Sequence, residues 1–214
     1  MADKNNKQND IKQRLEERNK KLEEMKEKLS NSIESENEKK IGILVDVDCC
    51  GNGCIFSDAA NGCSVREGNG TTANGESSHA EGRDTTANAQ FSHTEGFNTT
   101  TGMSANAAHA EGSTTNASGF ASHAEGLSTT ASGSRSHAEG DTTAASNEAA
   151  HAEGGFTEAS GLRSHAEGDN TTASKRASHA EGDTTSADGI AAHAEGTNTS
   201  ASGNSSHTEG ENTV

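Results

Sequence analysis

All ten histidines of this chain occur in one setting, two residues ahead of a glutamate: His79–Glu81, His93–Glu95, His109–Glu111, His123–Glu125, His137–Glu139, His151–Glu153, His165–Glu167, His179–Glu181, His193–Glu195 and His207–Glu209. An imidazole beside a carboxylate can move protons, bind a transition metal, or hydrogen-bond across an interface. Residues i and i+2 of a strand share a face, so each pair would project together. A single active centre is not built from ten equal copies, and no unique Ser, Cys or Asp accompanies a unique histidine. The expectation is a non-enzymatic protein without a cofactor. Zinc or nickel could bind such pairs, but ten equivalent layers suit a structural role better than a dedicated metal site. A metal-binding array remains an alternative.

The spacing reveals the elements that position these pairs. Successive histidines are 14 residues apart, except for the 16 between His93 and His109. With His as position 1, the unit reads H-[A/T]-E-G-x-x-T-x-A-x-G-x-x-[S/A], and Glu, Gly and Thr at positions 3, 4 and 7 occur in every copy. A degenerate copy, Ser64-Val65-Arg66-Glu67-Gly68, precedes them. The two extra residues fall within 97–108 and predict a bulge in one turn. Fourteen residues are too few for a helical repeat, and the small residues alternate with period 2, as in strands. Each unit splits into two five-residue strands, such as SHAEG and TTASG, with glycine at the tight turns. Ser, Ala and Gly of the first strand and Thr, Ala and Gly of the second are expected to point inward. Such small residues suit a narrow coil, and coils stacked by parallel pairing at about 4.8 Å make a rod of about 50 Å. The chain contains no proline, as an uninterrupted ladder requires. An inward Thr at position 7 argues against an ice-binding face.

Composition alone points elsewhere. Leu, Ile, Val and Phe number 21 in 214 residues, and the formal charge is −16, values typical of disorder. The strict period overrides that inference. Residues 1–40 carry 11 basic and 10 acidic side chains, so the acidity belongs to the repeats. Nucleic acid is an unsuitable partner for such a surface. No apolar run reaches membrane-spanning length, and the start MADKNNKQND leads into no signal-peptide core.

Residues 64–214 resemble the heads of trimeric autotransporter adhesins, the YadA-like left-handed parallel β-roll, in their 14-residue period and S-x-A-x-G strands, here Ser122-His123-Ala124-Glu125-Gly126. Similar SHAEG-type arrays occur in phage tail and surface fibre proteins. The resemblance implies an all-β, left-handed solenoid, assembled as a homotrimer. In that family the two x positions are mostly apolar and fill the trimer centre, whereas this chain has His and Glu there.

The repeats themselves suggest how that face is used. Position 8 on the opposite strand drifts through Thr86, Asn116, Ala144, Glu158 and Ser186, while His and Glu never change. A solvated face should drift, so the ten His/Glu pairs are expected at a subunit interface, each layer holding three imidazoles and three carboxylates. Mutual hydrogen bonding would meet the cost of burying them. An exposed ladder kept uniform by duplication is the plainer alternative.

Three regions are expected: an N-terminal helix or coiled coil over 1–40 with a frayed start, an apolar Cys-rich connector over 41–63, and a β-roll of about eleven coils over 64–214. Leu15, Leu22 and Leu29 lie one heptad apart within a helix expected over 10–38. Ile41–Val47 reads as a strand in need of a partner. Cys49, Cys50, Cys54 and Cys63 lack paired C-x-x-C spacing and are read as cross-linking residues, with Cys49 one period from Cys63. The sequence stops at HTEGENTV, halfway through a coil, which predicts an edge covered by the next copy and hence an end-to-end polymer. The expected protein is a structural filament of an extracellular, spore or cell surface, with an adhesive or receptor-binding rod as the alternative.

Overall fold

In a computed structural model the chain divides into two units, Met1–Asp46 and Val47–Val214. The structure describes residues 62–214 throughout, the backbone of Ile55–Asp58, and the single positions Lys20, Lys21 and Lys26, which are helical. The rest of the helix expected over 10–38, the strand expected over Ile41–Val47, and Cys49, Cys50 and Cys54 lie outside the described residues. Among the described residues no helix is long and apolar enough to cross a membrane.

From Ser64 onward each repeat unit makes one circuit. Long strands alternate with short ones: β2 (Ser64–Asn69), β3 (Thr72–Ala73), β4 (His79–Arg83), β5 (Thr86–Ala87), and so on to β21 (Ser200–Ala201) and β22 (His207–Glu211). The long strands form one parallel sheet and the short ones a second. Residues 64–214 thus form an all-β, parallel solenoid of about ten turns of roughly 14 residues, close to the eleven coils expected. Like residues lie over like, with His123, Ala124, Glu125 and Gly126 opposite His137, Ala138, Glu139 and Gly140. The degenerate copy joins the stack, Val65 opposite His79 and Glu67 opposite Glu81. The ladder is regular on both faces: the His79 N–H donates to the Ser92 carbonyl at 2.9 Å, and the Thr86 N–H to the Thr99 carbonyl at 2.9 Å. Around Met103 and Ser104 the two extra residues bulge outward and leave Met103 86 % exposed, while His93 and His109 stay paired.

The interior is built from the smallest side chains. In the coil beginning at Ser122, that serine, Ala124, Thr129, Ala131 and Gly133 are buried. Among the described residues no buried side chain exceeds threonine in size. Two short strands therefore face each other at close range, which explains a folded chain so poor in Leu, Ile, Val and Phe. The buried serine hydroxyls find partners within their own turn: Ser136 Oγ donates to the Gly133 carbonyl at 2.7 Å. The threonine column has no such partner, and Oγ1 of Thr129, like that of Thr115 and Thr143, makes no hydrogen bond.

Two sequence expectations need correction. The second strand of each coil is two residues long, not five. The N–H groups of Ser132 and Gly133 both donate to the Ala145 carbonyl, at 2.9 and 3.2 Å, and the chain then closes a turn at Ser136. The glycine of H-A-E-G does not face the core and does not form the tight corner. The corners fall on non-glycine residues with positive φ, such as Asp84 (57°) and Phe91 (58°). Such a backbone costs about 1 kcal/mol per residue, and these corners stay in the ladder, with the Asp84 N–H donating to the Asn69 carbonyl at 2.8 Å. Gly126 serves close approach instead: at φ +106°, a Cβ there would lie 2.2 Å from the Gly140 carbonyl oxygen. The strand ahead of β2 does not add a further parallel coil. Strand β1 (Ile55–Asp58) runs antiparallel to β2, with Ile55 opposite Glu67 and Asp58 opposite Ser64. The reversal passes through Gly62 and Cys63, both at positive φ.

Three substitutions test this packing by urea denaturation. Gly126→Ala is expected to destabilise the solenoid by ~3 kcal/mol or more. Gly210→Ala shares the positive φ but meets nothing closer than Thr213 Cγ2 at 3.9 Å, so it should cost only ~1 kcal/mol. Thr129→Val removes a buried hydroxyl without a partner and is expected to raise stability by ~1 kcal/mol; a loss of that size would show that the hydroxyl is satisfied.

Candidate functional site: the histidine and glutamate columns

Each long strand begins at its histidine, so the in-register ladder sets one imidazole above the next. From His79 to His193 neighbouring rings stack with centroids 4.7–4.9 Å apart and planes within 23° of parallel. The final pair, His193 and His207, is tilted by 40°. The glutamates form an adjoining column. Within each coil the imidazole Nε2 lies 3.4–4.0 Å from the carboxylate Oε2. All twenty His and Glu residues expected to act together are therefore gathered on one face.

Burial within this face is uneven. The His123 and Glu125 side chains are 35 and 36 % exposed in the single chain. Yet Nε2 of every histidine from His79 to His193 is shielded from solvent by its neighbours and makes no hydrogen bond. The carboxylate is within ion-pair range but accepts no hydrogen bond from the ring. The columns thus hold a row of shielded, unsatisfied nitrogens along a row of half-exposed carboxylates.

Stacking also perturbs protonation. Burial, then charge repulsion from His93 and His123, holds the His109 pKa below its ordinary 6.5, only partly offset by Glu95 and Glu125. His165 is lowered in the same way by burial and by His151 and His179, against Glu167 and Glu153. Both rings favour the neutral form, which can act as a ligand or hydrogen-bond acceptor.

The opposite face lacks this uniformity. Thr130, Ala144 and Glu158 succeed one another along the short strands. At the corners several apolar side chains are exposed, among them Phe91, Phe120, Phe156 and Ile190, whereas Leu162 is half-buried. Arg83 lies over the Phe97 ring, 4.7 Å from its centroid. Leu127 and Met103 extend this apolar set; lone apolar character within polar turns is the sequence signal for it. Of the cysteines, Cys63 is described, and its thiol is free and exposed.

The chain matches no protein-family model, and no curated protein matches it. The columns must be interpreted from their own geometry.

A group whose folded pKa is depressed in the neutral-favouring direction stabilises the fold above its unfolded pKa and loses that contribution as pH falls. For His109 and His165 the loss begins near 6.5 and continues down to their lowered folded values. The urea midpoint should be flat between pH 8 and 7 and decline below about 6.5, with a shallower decline in the double variant His109→Gln, His165→Gln. A midpoint that rises on acidification would reverse this assignment.

Proposed function

We propose that this protein is a structural, non-enzymatic rod in which three solenoids associate along their His/Glu columns and which extends end to end into a surface fibre. The observation that carries this reading is the unbroken column of ten imidazoles and ten carboxylates in register. The shielded Nε2 atoms have no hydrogen-bond partner among the described residues, and unsatisfied polar groups of this kind cost about 1–3 kcal/mol unless another molecule supplies a partner. Carboxylates from neighbouring chains would do so, layer by layer. An interface of polar layers also penalises misaligned partners. The fold lends itself to extension, because each coil presents the same main-chain groups that bind the coil before it. A non-enzymatic role accords with the repetition of the columns and with the hollow between Thr184 and Val214, which is lined by hydroxyl, amide and one apolar side chain. Assembly on an extracellular, spore or cell surface is the setting that suits such a fibre.

A second reading is supported by the exposed Phe91, Phe120, Phe156 and Ile190 at the corners. Apolar groups on an otherwise polar rod could contact a receptor, making it adhesive.

Sedimentation equilibrium of the full chain distinguishes assembly from a lone subunit: a mass three times 21.9 kDa is expected. The double variant His137→Lys, His151→Lys would put longer, charged side chains into two layers of the interface, with a desolvation cost of roughly several kcal/mol per ion, and should dissociate the trimer, while Thr130→Lys on the opposite face should not. A monomeric wild type at micromolar concentration would overturn the trimer. Electron microscopy decides between fibres, which support polymerisation, and discrete rods, which favour the adhesive reading.

A further inference from the structure

The chemistry of the columns goes beyond holding chains together. Within a single chain they contain overlapping triads of donor atoms, His79–Glu81–His93, His93–Glu95–His109, His109–Glu111–His123 and onward, whose ligand atoms lie within 4.8 Å of one another. An ion at the centre of such a triangle is at most about 2.8 Å from each donor, and bonds of about 2.0–2.2 Å are reached by side-chain shifts below about 1 Å. We propose that the ladder binds a row of divalent transition-metal ions, each held by two histidines of successive coils and the glutamate of the first.

Four observations support this site. Every Nε2 from His79 to His193 is shielded and without a hydrogen-bond partner, so no existing bond has to be broken. Each nitrogen already faces a carboxylate oxygen 3.4–4.0 Å away without a bond between them, for example 3.4 Å at His137 and Glu139. A cation placed between them satisfies both. The chain carries a formal charge of −16, which concentrates cations at its surface. Paired imidazoles with one carboxylate suit zinc, nickel or copper, whereas magnesium and calcium prefer all-oxygen sites.

The stacking imposes a limit. A nitrogen lone pair lies in the plane of its ring, so an ion between two parallel rings requires them to tilt toward it. The 40° tilt between His193 and His207 shows that the backbone register permits such a rotation. Adjacent triads also share a histidine, and each Nε2 serves one ion. Ions must therefore occupy alternate steps. The disjoint triads His79–Glu81–His93, His109–Glu111–His123 and His137–Glu139–His151 set a minimum of three ions, and ten histidines used in pairs set a maximum of five.

The site is complete within one chain and does not depend on the trimer. Equilibrium dialysis of the full chain against Zn²⁺, with excess Mg²⁺ present and the mass monitored by sedimentation, is expected to reach a plateau of three to five ions per chain. Copper EPR at low occupancy should show two nitrogen ligands per ion. His123→Gln divides the ladder and should remove one ion from the plateau while leaving the circular dichroism of the solenoid unchanged. A plateau below three, a plateau approaching ten with one nitrogen per ion, or displacement of zinc by magnesium would overturn the proposal. Because zinc is counted per chain, monomeric protein that binds it would refute the trimer alone, and trimeric protein that does not would refute the metal alone.

Discussion

The spacing of the main-chain ladder governs everything else in this protein. Parallel strands pair at a step of about 4.8 Å, and one circuit takes one repeat, so each side chain sits one step above its counterpart. The imidazole spacing of 4.7–4.9 Å is that step transmitted outward. The period also requires two strands to pass close together inside each coil, which admits only Ser, Ala, Thr and Gly to the interior. On the outside it requires the backbone of one coil to approach the next so closely that Gly126 has no room for a Cβ.

Stacking like upon like carries an electrostatic cost. A column of charged imidazoles or carboxylates repels itself at every step. Here the short-strand face does vary. On the His/Glu face the conflict is eased in two ways: burial favours neutral rings at His109 and His165, and a carboxylate column runs beside the imidazoles. What is left is a row of shielded nitrogens without a hydrogen-bond partner among the described residues. Assembly and metal binding are two answers to one chemical deficit, and both use the same atoms.

Much of this was legible in the chain. A 14-residue period with small residues at alternate positions excludes helices, and the strands beginning at His79, His123 and His207 lie where that period puts them. The gathering of the ten pairs on one face followed from their i, i+2 spacing. The corners were less legible. Glycine at position 4 looks like a turn residue, yet Asp84, Phe91 and Arg135 adopt the positive φ and glycine marks the close contact. Composition could not distinguish these roles, because both favour glycine locally and only the neighbouring coil decides between them. The antiparallel β1 was equally hidden: nothing in IFSD specifies which way it pairs with the strand that follows.

The sequence by itself determined the period, the face that histidine and glutamate share and the chemical identity of the columns, because alternation and repetition are local properties of a chain. The tertiary structure alone decided that Nε2 lies shielded beside a carboxylate it does not bond, that neighbouring rings come within one strand spacing, and that successive triads share a histidine. Those facts arise between residues fourteen positions apart, and no local pattern specifies a distance across coils until the ladder has closed.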